Sequence, residues 1–234
     1  MNSLNKTARM AGFLYFIYMV FHISADVIGR SKLFVYGDAA ATAQNIIASG
    51  WQFRIAIMVD LLGAVLFFLT AWALYVLLKP VNKNIALLFL LLNLGGVAVY
   101  SISLLNQFAA LLLLSGADYL KVFQADQLQA LAMFFLNLRH NGYWIASIFF
   151  GAWVFPLGYL VFKSGFLPRI LGIVLMIHCF TWLLFVFQFF LFPGFVAITY
   201  VSFALGLVAE VGLTLWLLIM GAKDQEPTLA DGQK

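Results

Sequence analysis

Six long runs of apolar residues follow one another along the chain. Each is long enough to cross a lipid bilayer as an α-helix, which takes roughly 20 residues. The runs are Ala8–Ile28, Phe53–Leu78, Ile85–Leu114, Tyr143–Phe162, Pro168–Leu191 and Phe195–Met220. We therefore predict an all-α, polytopic membrane protein whose six transmembrane helices form one bundle. We expect a single domain over residues 1–222 and a polar cytoplasmic tail over residues 223–234.

The composition of the chain excludes a soluble globular protein and a disordered one. Hydrophobic residues make up 65% of the chain and charged residues 9%, whereas about a quarter of a soluble domain is charged. The 13 basic residues are scattered singly, so nucleic acid is not predicted as a partner. The single cysteine, Cys179, rules out an internal disulfide and any cysteine-cluster metal motif.

Basic residues beside the runs predict how the chain is oriented. The short connections at residues 79–84 and 163–169 are both basic. In a six-span arrangement, eight cations fall on the side of the termini and five on the other side, which places both termini in the cytoplasm. Lys6 and Arg9 before an apolar run also resemble a signal peptide. The run continues to Ile28 without a small-residue cleavage motif, however, and we interpret it as a retained first span.

The two long connections, residues 29–52 and 115–142, then face outward, and each is predicted to contain a short amphipathic helix. Asp38 precedes a run of alanines and is the expected N-cap of the first. Asp126 is the expected cap of the second. Two placements of the second helix stay open: on the membrane surface, or running straight into the fourth span with a bend at Gly142.

Charged and amide side chains inside the runs are where function is expected. A charge at the centre of a bilayer costs roughly 2.5–3.5 kcal/mol and normally faces protein or water. Asp60 has no good partner within its own helix, and an arginine that packs against it, Arg139, Arg30 or Arg54, is expected to pair with it. Most such groups fall in the outer halves of the runs, which predicts a polar cleft open to the outer side.

We predict that this cleft holds a lipid or a small amphiphile. The expected ligand-binding residues are Arg30, Arg54, Arg139, Gln107 and His22. The arginines would face an anionic head group, and the site would be completed by Asp26, Asp60 and His140. Deeper in the membrane, Glu210 is predicted to be a buried carboxylate nearer the cytoplasmic side, with His178 near the middle.

Three other functions remain open from the residues. A lipid-modifying hydrolase or transferase would use His140 as its base and Asp60 or Asp26 as the orienting group. A proton-coupled transporter would use Asp60 and Glu210 as carboxylates at different depths. An accessory subunit of a homo- or hetero-oligomer would need no such chemistry. The catalytic candidates are therefore His140, Asp60 and Asp26.

No metal site and no cofactor are predicted. His22 and Asp26 stand four residues apart, a spacing at which two side chains can share a metal. The chain has only three histidines, however, and contains neither an HxxxH nor an HExxH motif. Nucleophile motifs such as GxSxG and phosphate-binding glycine loops are also absent from the sequence.

Five short segments occur in a characteristic order along the chain: Gly37–Ala43, Tyr75–Asn84, Leu114–Leu120, Leu157–Leu160 and Ser164–Gly172. Together they resemble the DUF4386 family of bacterial membrane proteins, a domain of unknown function. The resemblance extends from Lys6 to Gly221, and the run SGFLPRILG from Ser164 is its most specific part. It implies one intact six-span domain in a bacterial cytoplasmic membrane. It carries no catalytic residue with it, because the matching segments are mainly turns and helix caps.

Overall fold

Helices account for nearly all of the computed structural model, which describes residues 3–223 apart from the side chain of Arg30. We label them α1 to α7: Ser3–Leu33, Ala39–Ala48, Gly50–Leu78, Lys83–Leu113, Ala125–Lys163, Arg169–Leu191 and Ala197–Met220. All but α2 are long and apolar enough to cross a membrane, and the described residues contain no strand. The predicted all-α fold with six spans is confirmed, while the predicted tail lies outside the described residues except for Lys223.

The fourth span is far longer than its apolar run. Helix α5 has 39 residues and begins at Ala125, so the second loop helix predicted from the sequence is in fact the first part of a transmembrane helix. Of the two predicted placements, the structure therefore has the one in which this helix runs straight into the fourth span. A Cβ atom at Gly142 would lie 2.4 Å from Cβ of Ser103, so this glycine serves the close approach of α4 and α5.

Local capping explains where two of the helices begin. The carboxylate of Asp38 accepts a hydrogen bond of 2.8 Å from the backbone N–H of Ala41, which confirms the predicted N-cap of α2. At the start of α5, the backbone N–H of Gln124 donates to the side-chain oxygen of Gln127 at 2.9 Å. The cap predicted at Asp126 is therefore wrong, since this residue lies inside the first turn, where its charge favours the helix dipole.

Two of the spanning helices contain wider, π-helical turns. They are Asp26–Arg30 in α1, and Leu207–Val211 and Trp216–Met220 in α7. Such turns interrupt the regular hydrogen-bond ladder and frequently occur at functional sites. Two of the carboxylates singled out from the sequence, Asp26 and Glu210, lie in them.

One compact unit comprises Leu14–Thr70 and Leu91–Phe150. Its apolar cluster near α2 is formed by Leu33, Ile46, Phe53, Ile57, Ala110, Ala132 and Leu136. Small residues let its helices approach: a Cβ atom at Gly29 would lie 2.5 Å from Cβ of Ala56, and one at Gly96 would lie 2.4 Å from the ring of Phe150. This packing fixes the register between neighbouring helices and thereby places their polar residues.

The second compact unit comprises the described residues up to Phe13, Ala71–Leu90 and those from Gly151 onwards. Here α5 and α6 are in backbone contact, because a Cβ atom at Gly172 would lie 2.5 Å from the backbone nitrogen of Phe162. Helices α1 and α7 meet in the same way at Gly12, whose Cβ would lie 2.5 Å from the nitrogen of Leu218. Glycines thus allow both of these helix contacts.

Candidate functional site

Three polar side chains from three helices meet in the interior of the first unit. We call this set, Asp60 of α3, Tyr100 of α4 and Arg139 of α5, the Asp60 network; its members are 3%, 6% and 4% exposed. The Tyr100 hydroxyl donates to Oδ1 of Asp60 at 2.7 Å. Nη2 of Arg139 donates to Oδ2 of Asp60 at 3.3 Å and to the Tyr100 hydroxyl at 3.1 Å. Arg139 is therefore the partner that Asp60 was predicted to need.

The network follows from the way α4 packs on α5. Tyr100, Ser103 and Gln107 recur at spacings of three and four, which places them on one face of α4. Ser103 lies against Gly142, so Tyr100 and Arg139 stand about one turn to either side of that contact along the antiparallel helices. Their long side chains meet across it. The Arg139 guanidinium also lies 5.6 Å from the centre of the Tyr100 ring, in cation–π contact.

A layer of aromatic rings extends the network toward α1. The rings of Tyr100 and Tyr143 lie 6.1 Å apart and meet edge to face. Tyr143 in turn stacks on the imidazole of His22, with ring centres 6.4 Å apart. His22 stacks beside Tyr18, whose ring lies 4.2 Å from that of Phe67. The candidate His22 is thus linked to the Asp60 network through Tyr143, which the sequence analysis did not select.

His140 is held in one tautomer by its own helix. The indole Nε1–H of Trp144 donates to Nε2 of His140 at 3.0 Å. An indole can only donate, so Nε2 must be the unprotonated nitrogen and the ring proton is on Nδ1. To act as a base through Nε2, His140 would first have to lose this hydrogen bond.

A small cleft borders the network between α5 and the segment that connects α1 to α2. It is lined by Phe34, Val35, Tyr36, Met133, Leu136, Asn137, Arg139 and His140, and we call it the Arg139 cleft. Its volume is about 30 Å³, room for a water molecule or a group of similar size. The cleft therefore joins an apolar wall to a few polar groups, and Arg139 belongs both to it and to the Asp60 network.

The other predicted site residues are not members of the Asp60 network. Arg54 and Asp26 are exposed, and the side chain of Arg30 lies outside the described part of the chain. Gln107 is only 1% exposed, and its Oε1 has no hydrogen-bond partner among the described residues. Nε of Arg139 is also buried without a partner there. The expected cluster of three arginines is thus reduced, in the described structure, to one buried arginine.

A second polar contact lies in the other unit, between α6 and α7. Nε2 of His178 is 3.2 Å from Oε1 of Glu210, beside Gly206, which has no side chain to separate them. His178 is fully buried, whereas the Glu210 side chain is 24% exposed. The carboxylate of Glu210 is therefore partly buried, and its contact with Nε2 of His178 puts it at the depth of that residue. The wide turn Leu207–Val211 carries this carboxylate.

Among residues 3–223, no three His, Cys, Asp or Glu side chains come close enough together to share an ion. The imidazole of His22, whose spacing from Asp26 would suit two ligands of one metal, stacks on Tyr143 and lies tilted against Tyr18.

Comparison with known proteins gives a family and no activity. The model of the family described as "Domain of unknown function (DUF4386)" matches residues 10–221. A relative from Archaeoglobus fulgidus, described as "Uncharacterized protein", is 31% identical over 165 residues, which cover 67% of this chain and 77% of the relative. No solved structure matches the chain.

Proposed function

This chain belongs to the DUF4386 family, and we propose that it is a multi-pass membrane protein that binds a lipid or a small amphiphile in the Arg139 cleft. One observation carries the proposal: a buried arginine borders an open cleft and keeps one N–H donor without a partner in the described chain. A buried donor left unsatisfied costs about 1–3 kcal/mol, so an acceptor supplied from outside would be stabilised there.

The lining of the cleft supports an amphiphile over a polar solute. Phe34, Met133 and Leu136 offer apolar contacts, while Asn137, Arg139 and His140 offer polar groups. Ligand sites commonly combine an apolar wall with a few placed polar groups. The lipid-modifying enzyme and the proton-coupled transporter stay predictions, because no contact in the described chain favours them as specifically.

Filling the cleft tests the proposal. We expect Met133→Trp to remove a co-purified amphiphile, because the larger side chain occupies the space that the ligand needs. Native mass spectrometry after gentle release from detergent would show a stoichiometric extra mass on the wild type and at least about a tenfold lower occupancy on the variant. Phe134→Trp is the matched control: this neighbour on α5 is 59% exposed and points away from the core. A bare polypeptide mass for the wild type, or equal occupancy in both variants, would contradict the proposal.

We also propose that the protein lies in a bacterial cytoplasmic membrane with both termini inside and the Arg139 cleft outside. The cation asymmetry between the two sides supports this orientation. Cysteine labelling tests it cleanly, because the single native cysteine, Cys179, is buried. In intact cells an impermeant maleimide should label Tyr36→Cys, which replaces an 83% exposed side chain. Asn82→Cys should react only after the cells are permeabilised, and the reverse pattern would invert the proposed topology.

A further inference from the structure

Helix α5 carries an exposed stripe of large apolar side chains that begins well before its apolar run. The residues of this stripe, which we call the α5 stripe, are Leu131, Phe134, Leu138, Ile145 and Ile148. Steps of three, four and seven residues keep them on one face of the helix. Ile145 and Ile148 lie within the apolar run Tyr143–Phe162, where an exposed side chain faces lipid, whereas the first three residues precede that run. The apolar face of α5 is therefore longer than the run itself.

Contacts with α3 show at which level this extension lies. Arg139 pairs with Asp60 at 3.3 Å, and the two residues are 79 positions apart in the chain. The same offset relates Ala132 to Phe53, and both belong to the apolar cluster near α2. Helices α3 and α5 therefore run side by side in the same direction. The first three residues of the α5 stripe lie level with residues 52–59 of α3.

The length of α3 then gives the depth of that level in the membrane. Helix α3 has 29 residues and is about 43 Å long, at about 1.5 Å per residue. A bilayer measures about 30 Å across its hydrocarbon and about 40–45 Å with its head groups. Helix α3 thus matches the full thickness, and its residues 52–59 stand about 29–39 Å from its last residue, Leu78. This level is the boundary between hydrocarbon and head groups.

The exposed side chains at this level are typical of a membrane interface. Trp51 of α3 is 75% exposed, and Tyr36, which lines the Arg139 cleft together with Asn137, is exposed as well. Such aromatic residues are enriched where hydrocarbon meets head groups. Arg54 and Asn137 are also exposed, and their polar ends suit the head-group layer. The surface around the first half of the α5 stripe therefore combines apolar, aromatic and polar groups.

Continuity with the lipid-facing part of α5 favours lipid over protein as the neighbour of this surface. The α5 stripe continues from Leu138 to Ile145 with one polar residue between them on this face, Asn141. The amide of Asn141 donates to the backbone oxygen of Asn137 at 3.0 Å, so part of its polar character is satisfied within the helix. A soluble partner or a second copy of the chain would have to end its contact where lipid begins, although the apolar face does not end there.

We infer that the first half of the α5 stripe is inserted into the bilayer and contacts phospholipid at the boundary between acyl chains and head groups. The leaflet is the one on the side of α2, which is the outer leaflet in the proposed orientation. Because exposed Asn137 lies beside the stripe and also lines the Arg139 cleft, the lipid layer reaches the rim of that cleft. The inference concerns the surface of α5 and does not depend on whether the cleft holds a ligand.

Spin labels on the α5 stripe test the inference on the full-length protein in liposomes of phosphatidylethanolamine and phosphatidylglycerol. Phe134→Cys and Leu138→Cys replace exposed side chains, and the native Cys179 is buried, so a thiol-specific nitroxide reports the new positions. Oxygen concentrates in hydrocarbon and a neutral nickel chelate stays in water, so the ratio of their collision rates with the label measures depth. We expect a ratio several times that of Asn82→Cys, the aqueous control between α3 and α4, and below that of Ile148→Cys, the hydrocarbon control.

The other outcomes would each overturn the inference. A ratio equal to that of Asn82→Cys would place the first half of the stripe in water, as a docking face for a soluble partner requires. Low collision rates with both reagents would mean that protein covers it, and dipolar coupling between labels on separate copies would identify a second copy. A ratio equal to that of Ile148→Cys would place it deep in hydrocarbon. None of these readings depends on the proposed orientation, because the ratio does not distinguish the two leaflets.

Discussion

Arg139→Met is expected to lower the free energy of unfolding by about 3–5 kcal/mol, the largest effect of any single substitution considered for this chain. The reason is the charge that it leaves behind. Asp60 is 3% exposed and loses its 3.3 Å ion pair, so a carboxylate would remain buried without its counter-ion. Loss of the cation–π contact with Tyr100 adds to the effect.

The double variant Asp60→Leu with Arg139→Met distinguishes a buried charge from lost packing. Removing both charges takes away the uncompensated carboxylate, so we expect it to recover much of the stability that Arg139→Met loses. Recovery should be incomplete, because the Tyr100 hydroxyl loses its 2.7 Å hydrogen bond to Asp60. Equilibrium unfolding in mixed micelles or by steric trapping would measure all three proteins.

Arg54→Met is the matched control for this prediction, since Arg54 lies on the same helix as Asp60 and is exposed. Its effect should stay within about 0.5 kcal/mol, as for most surface substitutions. A small effect of Arg139→Met, comparable with that of Arg54→Met, would mean that the Asp60 network contributes little to the folded state.

Gly172→Ala is expected to destabilise the contact between α5 and α6 by about 1–3 kcal/mol, although alanine is the better helix former. The added Cβ would lie 2.5 Å from the nitrogen of Phe162 and 2.7 Å from the carbonyl oxygen of Gly158. Both are backbone atoms, so no side chain can turn aside and the helices themselves must separate. The same unfolding measurement applies, and the variant's transition should move to lower denaturant.

Gly63→Ala serves as the control, because we expect no loss of stability from it. Gly63 also lies within a spanning helix, but its Cβ would meet only Cβ of Phe21, at 3.7 Å, an ordinary contact. We expect this substitution to be neutral or to stabilise by up to about 1 kcal/mol through helix propensity. If Gly172→Ala behaved like Gly63→Ala, the glycine contact would not be what limits the approach of α5 and α6.

The candidate site could be predicted only in part from the sequence. Asp60 stands out as an unpaired carboxylate in an apolar run, and the need for an arginine follows from the cost of a buried charge. Tyr100 was visible only as part of a polar stripe typical of helix packing, and Tyr143 gave no signal beyond being aromatic. The hydrogen bond from Trp144 that sets the tautomer of His140 depends on side-chain rotamers, which sequence spacing does not specify.

The six spans, the all-α fold and the cap at Asp38 could be predicted from the sequence, because each depends on residues that are neighbours in the chain. A backbone in hydrocarbon must satisfy its hydrogen bonds within its own helix, so apolar runs of sufficient length imply spanning helices. Other features depend instead on how the helices are rotated and shifted against one another. These are the pairing of Asp60 with Arg139 and not Arg54, the continuation of α5 through Gly142, and the pairing of Glu210 with His178. Close contacts such as that of Ser103 with Gly142 set this register. They join residues that are far apart in the chain, so a pattern among neighbouring residues cannot predict them.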